Sequence, residues 1–159
     1  MEQKEMIDLL RQVASGTMDV EQAALKLKEE PFEDLGFAKI DHHRAMRQGV
    51  AEVIYGEGKT PEQIFQIAEA MKEKGQKAVL ITRMNKESAI YVGEHLELQY
   101  DEVSRIGFIG EAPRKDGDGK IVVATGGTSD IPVAEEAART AETLGNEVIR
   151  LYDVGVAGV

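Results

Sequence analysis

The run Thr125-Gly-Gly-Thr-Ser-Asp130 holds the residues of this protein best placed for chemistry. It follows the apolar stretch Ile121-Val-Val-Ala124 and precedes Ile131-Pro-Val-Ala-Glu-Glu136, so a buried strand enters a Gly-Gly loop and the loop enters a helix. Gly126 and Gly127 permit close backbone approach or positive φ. Thr128, Ser129 and Asp130 can cap the helix, and the free N–H groups at its start attract anions. In open α/β sheets ligands bind at the carboxyl ends of strands, where this loop falls. A phosphate or ribose site fits these residues, and so does an ordinary capped strand-to-helix loop. The dinucleotide fingerprint G-x-G-x-x-G is excluded, because no further glycine follows Gly127 at the required spacing. Asp153 ends the next expected strand, 147–152, where a carboxylate can accept from ribose hydroxyls or simply be solvated. The run Gly155-Val-Ala-Gly158-Val159 is small and apolar, suited to close approach by a ligand or a neighbouring molecule.

Two other groups carry charge at suggestive spacings. Gly56-Glu-Gly-Lys59-Thr60 links a strand to a helix, but the phosphate-binding loop of nucleotide triphosphatases needs glycine where Val53 stands. Lys59 and the helix start could still meet a phosphate or carboxylate; a tight turn with a surface lysine explains them equally. Asp41, Arg44 and Arg47 recur at three-residue spacing, as an ion-pair ladder or an anion-binding face. The adjacent His42 and His43 diverge by about 100° on a helix and chelate poorly, so no metal site is expected.

Elements to position these residues follow from periodicity. Met6, Leu9, Leu10 and Val13, then Val20, Ala23, Ala24 and Leu27, form two amphipathic stripes broken at Gly16, an αα-hairpin over residues 1–30. Asp19 and Gln22 are spaced as a capping box. Residues 29–35 read as a linker. A small α/β domain is expected over 36–110: strand 36–40, helix 41–48, strand 50–55, helix from Pro61 to Gly75, strand 78–82, helix 86–96, and one or two strands in 98–109. The charged stretch 111–119 reads as an exposed linker or turn. Then strand 121–125, helix 130–144 and strand 147–152 open a further unit over 120–159, with Ala134, Ala137, Ala138 and Ala141 on one helix face. A β-α-β start implies a parallel sheet with a right-handed crossover. Two parallel strands are too few to be covered on both faces, so this unit is expected to be incomplete and the protein truncated at its C-terminus.

Composition narrows the partners. There are 159 residues, 42% hydrophobic, with 29 acidic against 19 basic residues and a net charge of −10. That sign disfavours nucleic acid and anionic membrane surfaces. There is no cysteine, which excludes disulfides, thiolate nucleophiles and cysteine-ligated zinc within these residues. The N-terminal Met1-Glu-Gln-Lys-Glu-Met lacks a signal-peptide core, and no run reaches the roughly 18 apolar residues of a membrane span. A cytoplasmic location is expected.

Three segments together resemble the LarB family, the carboxylase/hydrolases that open nickel-pincer nucleotide biosynthesis: residues 47–60, Gly127-Thr-Ser-Asp-Ile-Pro-Val-Ala-Glu-Glu-Ala-Ala138, and Tyr152-Asp-Val-Gly-Val-Ala-Gly158. The likeness spans nearly the whole sequence; Ala51 departs from the proline of the family pattern. It implies an α/β fold in which residues 120–159 begin a three-layer, flavodoxin/Rossmann-like domain similar to PurE, the aminoimidazole ribonucleotide carboxylase. It implies nicotinic acid adenine dinucleotide and CO2 or bicarbonate as substrates, Mg2+ as a candidate ion, and no covalently bound cofactor. Pyridinium-3,5-biscarboxylic acid mononucleotide and AMP would be the products. A cysteine thiolate would add to the ring, and with no cysteine here the nucleophile is expected beyond Val159, leaving an inactive fragment. By resemblance, Gly126, Gly127, Thr128, Ser129 and Asp130 line the ribose-phosphate or CO2 end of the site, with Asp153, Gly155 and Gly158 across the crevice. Arg44, Arg47 and Lys59 are further candidates for substrate binding. PurE-like relatives form octamers, so a homo-oligomer is expected. The alternatives are a non-enzymatic nucleotide-binding or assembly module, and an enzyme like aminoimidazole ribonucleotide carboxylase.

Overall fold

The computed structural model describes residues 3–27, 32–41, 53–111, 114, 115 and 117–156. Contacts divide the protein into two compact units, 1–52 and 53–159.

The first unit contains helices α1 (Gln3–Ala14) and α2 (Val20–Leu27), then strands β1 (Phe32–Asp34) and β2 (Lys39–Asp41). The two helices pack through Leu9 and Ala23, which are buried. Asp19 caps α2, accepting from the Glu21 N–H at 3.1 Å. The expected box is thereby half made, through the second helical residue and not the third. The Asp19 carboxyl is held below its ordinary range, chiefly by side-chain hydrogen bonding with Glu21 and further by backbone N–H groups at the start of α2.

The expected strand 36–40 is corrected. β1 and β2 form an antiparallel hairpin pairing Phe32 with Asp41 and Asp34 with Lys39. Gly36, at φ +82°, sits in the turn, closed by Leu35 N–H to Ala38 O at 2.9 Å. Part of the expected linker is therefore strand, because the turn takes Gly36 out of the extended region. Asp41 is the last residue of β2. The rest of the expected helix 41–48, with His42, His43, Arg44 and Arg47, lies outside the described residues.

The second unit is built on a mixed four-stranded sheet of order β3-β4-β6-β5, with β3 (Val53–Tyr55), β4 (Ala78–Thr82), β5 (Leu98–Asp101) and β6 (Ile106–Gly110). β3 and β4 are parallel, while β6 runs antiparallel to both β4 and β5. Helices α3 (Pro61–Glu73) and α4 (Lys86–His95) pack on each other and on this sheet. Ile64, Ala68 and Met71 form the buried stripe of α3 that the i, i+4, i+7 spacing predicts. Thr60 and Gln63 complete a capping box, with Pro61 at the first helical position, where its missing N–H costs nothing. Val79, Ile81 and Ile109 are sealed from solvent, and Ile106 and Phe108 nearly so.

Strands β7 (Lys120–Ala124) and β8 (Glu147–Leu151) form a separate parallel pair joined by α5 (Ile131–Thr143), as the β-α-β pattern predicts. α5 lies against β7 and β8 and also touches β4 and β6. Ala134 and Ala138 are buried, whereas Ala137 is exposed, so the small-residue face is narrower than expected. A step of 134 to 138 returns to the same side of a helix; a step to 137 falls about 60° short. Among the described residues no helix is long and apolar enough to cross a membrane.

Candidate functional site

The candidate site is built where β7 and β8 end. Past the last paired residues of these strands, Thr125 N–H continues the ladder to Leu151 O at 3.0 Å, and Val154 N–H returns to Thr125 O at 3.1 Å. Gly155 N–H donates to Gly126 O at 3.0 Å. These bonds bring 126–130 and 153–155, far apart in sequence, side by side at the carboxyl ends of two parallel strands. A Cβ on Gly155 would lie 2.4 Å from Gly126 O, so the approach requires glycine there. Gly158 lies outside the described residues.

Within the loop, Thr128–Asp130 forms one 3-10 turn leading into α5. The side chain of Asp130 does not cap the helix as expected. Its carboxylate turns back and accepts from Gly127 N–H at 3.0 Å, making no cap bond to α5. The 3-10 turn gives Asp130 helical backbone angles, φ −84° and ψ −15°, where a capping residue is normally extended. No hydrogen bond among the described residues engages the N–H groups of Thr128 and Ser129. They are exposed donors at the positive end of a 13-residue helix, which can bind an anionic oxygen.

Asp153 is exposed and adopts φ +57°, a left-handed conformation uncommon for a residue with a side chain. Its N–H is held by the buried hydroxyl of Thr125 at 2.9 Å. No bond among the described residues engages its carboxylate, which is therefore open to a ligand hydroxyl.

A charged network braces the site from below. Arg150 on β8 donates to Glu135 at 2.9 Å and to Glu142 at 2.6 Å, both on α5. Tyr152 O–H donates to Glu135 at 2.9 Å. Arg150 holds the Glu142 carboxyl below its usual range, chiefly by hydrogen bonding. The same pairing raises Arg150, first through Glu142 and then Glu135.

Lys59 stands in the loop between β3 and α3, where its ammonium donates to Tyr55 O at 2.7 Å. That loop reaches α5 through Arg83, which pairs with Glu57 at 3.0 Å and Glu136 at 3.3 Å. Glu57 also accepts from the Tyr55 hydroxyl, which, with Arg83, holds its carboxyl below the ordinary range. Arg44 and Arg47 lie outside the described residues. Among the described residues no three His, Cys, Asp or Glu side chains gather in a metal-binding group.

Sequence reasoning passed over Thr125 and Arg83 as single residues. Thr125 had one readable signal, a hydroxyl residue ending an apolar strand. Arg83, at φ +51°, had none, since arginine has no special preference for that region.

The second unit is an α/β scaffold that carries a Gly-rich loop at the carboxyl ends of the parallel strands β7 and β8, the place where α/β sheets commonly bind ligands. More narrowly, residues 32–111 match the model of the LarB/PurE-like N-terminal domain, and the protein belongs to that family. It is also 31% identical over 163 residues to an uncharacterized protein of Methanocaldococcus jannaschii, the match taking in 98% of the present sequence and 64% of that relative.

Proposed function

We propose that this protein forms part of a LarB-type carboxylase/hydrolase acting on nicotinic acid adenine dinucleotide and CO2 or bicarbonate in the cytoplasm. The reaction adds a carboxylate at C5 of the pyridinium ring and hydrolyses the pyrophosphate, giving pyridinium-3,5-biscarboxylic acid mononucleotide and AMP. What carries the reading is the joining of 126–130 to 153–155 by the Gly155 to Gly126 bond, in a member of this family. On this reading the Thr128 and Ser129 N–H groups receive a phosphate oxygen. Gly126 and Gly127 let the backbone come close, Asp130 orders the loop through Gly127, and Asp153 accepts from a ribose hydroxyl. Lys59, Arg44, Arg47 and Gly158 are proposed as further contacts. The ring-attacking thiolate is absent from these 159 residues, so they bind the dinucleotide without turning it over alone. Assembly into a homo-oligomer is part of the proposal, supported by the apolar open face of β7 and β8, where Val122 and Leu151 are exposed.

The test is to join these residues to the remaining length of the Methanocaldococcus jannaschii relative and assay the product with nicotinic acid adenine dinucleotide. Release of AMP that depends on bicarbonate is expected. AMP release without bicarbonate, or none from a folded protein, contradicts the reading.

A further inference from the structure

We infer that Thr125 is a positioning residue for this site: its hydroxyl fixes Asp153 in the left-handed backbone region and so sets where that residue stands beside the 126–130 loop. The inference deepens the LarB-type reading and rests on it for the identity of the ligand. Thr125 is 6% exposed, one of few buried polar residues described. Its main chain is already used by the ladder, its N–H to Leu151 O and its O to Val154 N–H. The side-chain oxygen adds a third tie, accepting the Asp153 N–H at 2.9 Å. A residue with a side chain stays at φ +57° only where its surroundings over-determine it. Here the determinants can be named: Thr125 Oγ1 holds the Asp153 N–H, and Val154 and Gly155 are pinned next in sequence. Valine has the shape of threonine and would fill the same space, but it offers no acceptor. The hydroxyl, not the bulk, is therefore the functional part.

Thr125→Val and Thr125→Ser should be compared in the full-length protein by two readouts. The first is calorimetric titration with nicotinic acid adenine dinucleotide. Loss of the acceptor for the Asp153 N–H is expected to weaken binding about tenfold in Thr125→Val, and serine is expected to restore it. The second is backbone amide exchange at residue 153. It should be slow in the parent and Thr125→Ser and fast in Thr125→Val, while the amides of β4 and β6 keep their protection. Unchanged binding and exchange in Thr125→Val overturn the inference, as does equal weakening by serine and valine, which would mean packing alone matters. If Thr125→Val fails to fold, Thr125→Ser and Asp153→Ala carry the test: the serine variant must bind like the parent and the alanine variant must bind weakly, and the reverse overturns the inference. If the parent protein binds none of the dinucleotide, the substrate reading falls and the ligand-facing role of Thr125 falls with it. The exchange measurement then still decides whether Thr125 fixes Asp153.

Discussion

In the four-stranded sheet, Val79, Ile81 and Ile109 have no solvent exposure worth the name, with α3 and α4 packed against the strands. In β7 and β8 the apolar residues of one face stay open: Val122 is 55% exposed, Ile149 39% and Leu151 47%. The register explains the split. Val122 pairs with Ile149 and Ala124 with Leu151 on the open face, while Val123 pairs with Arg150 on the side that meets α5. The first region is held by apolar burial, the second by a strand ladder and the Arg150 network. The candidate ligand loop belongs to the second. Sites drawn from the less stable end of a fold are common, because loops that must adapt to a ligand cannot be locked by a core.

Substitutions can break this contrast. Ile81→Ala should have the largest effect, costing about 2–5 kcal/mol through a cavity in the sealed sheet. Chemical denaturation followed by circular dichroism measures it, and a cost below about 1 kcal/mol would erase the difference between the regions. Thr60→Ala removes the cap and half of the box at the start of α3, and a loss of about 1 kcal/mol is expected in the same assay. Ile149→Ala on the open face should change stability by no more than about 0.5 kcal/mol. A cost as large as that of Ile81→Ala would show that this face is covered in solution.

Acid should separate the two regions as well. Glu142 has its carboxyl lowered from an ordinary 4.5 by Arg150, so its contribution to stability is present above that value. The contribution is lost as pH falls from there through the lower folded value. Amides of β7, α5 and β8 should therefore lose exchange protection on acidification before those of β4 and β6. Arg150→Ala should remove this pH dependence. If the two regions lose protection together in the parent protein, the Arg150 network is not what holds the second.

The strand-loop-helix unit around the candidate site was legible because the apolar run 121–124, the Gly-Gly pair and Gly145 mark its boundaries. The hairpin at Phe32–Asp34 was hidden, since Glu33 and Asp34 carry no strand signal and the pairing with β2 supplies what propensity does not. In the site, the glycines and Asp153 could be named from spacing. The bond that orders Asp130 onto Gly127, and the one from Asp153 to Thr125, are long-range or conformational outcomes that residue types alone do not specify.

The most direct test of a ligand site shared by 126–130 and 153–155 is calorimetric titration of nicotinic acid adenine dinucleotide into the parent protein and its Gly155→Ala variant. A methyl at 155 meets Gly126 O and forces the two loops apart, an overpacking cost of about 1–3 kcal/mol. Saturable binding to the parent is expected, with at least about tenfold weaker binding to the variant while the sheet of β3 to β6 stays folded. Equal binding by both proteins, or none by the parent, would contradict the shared site.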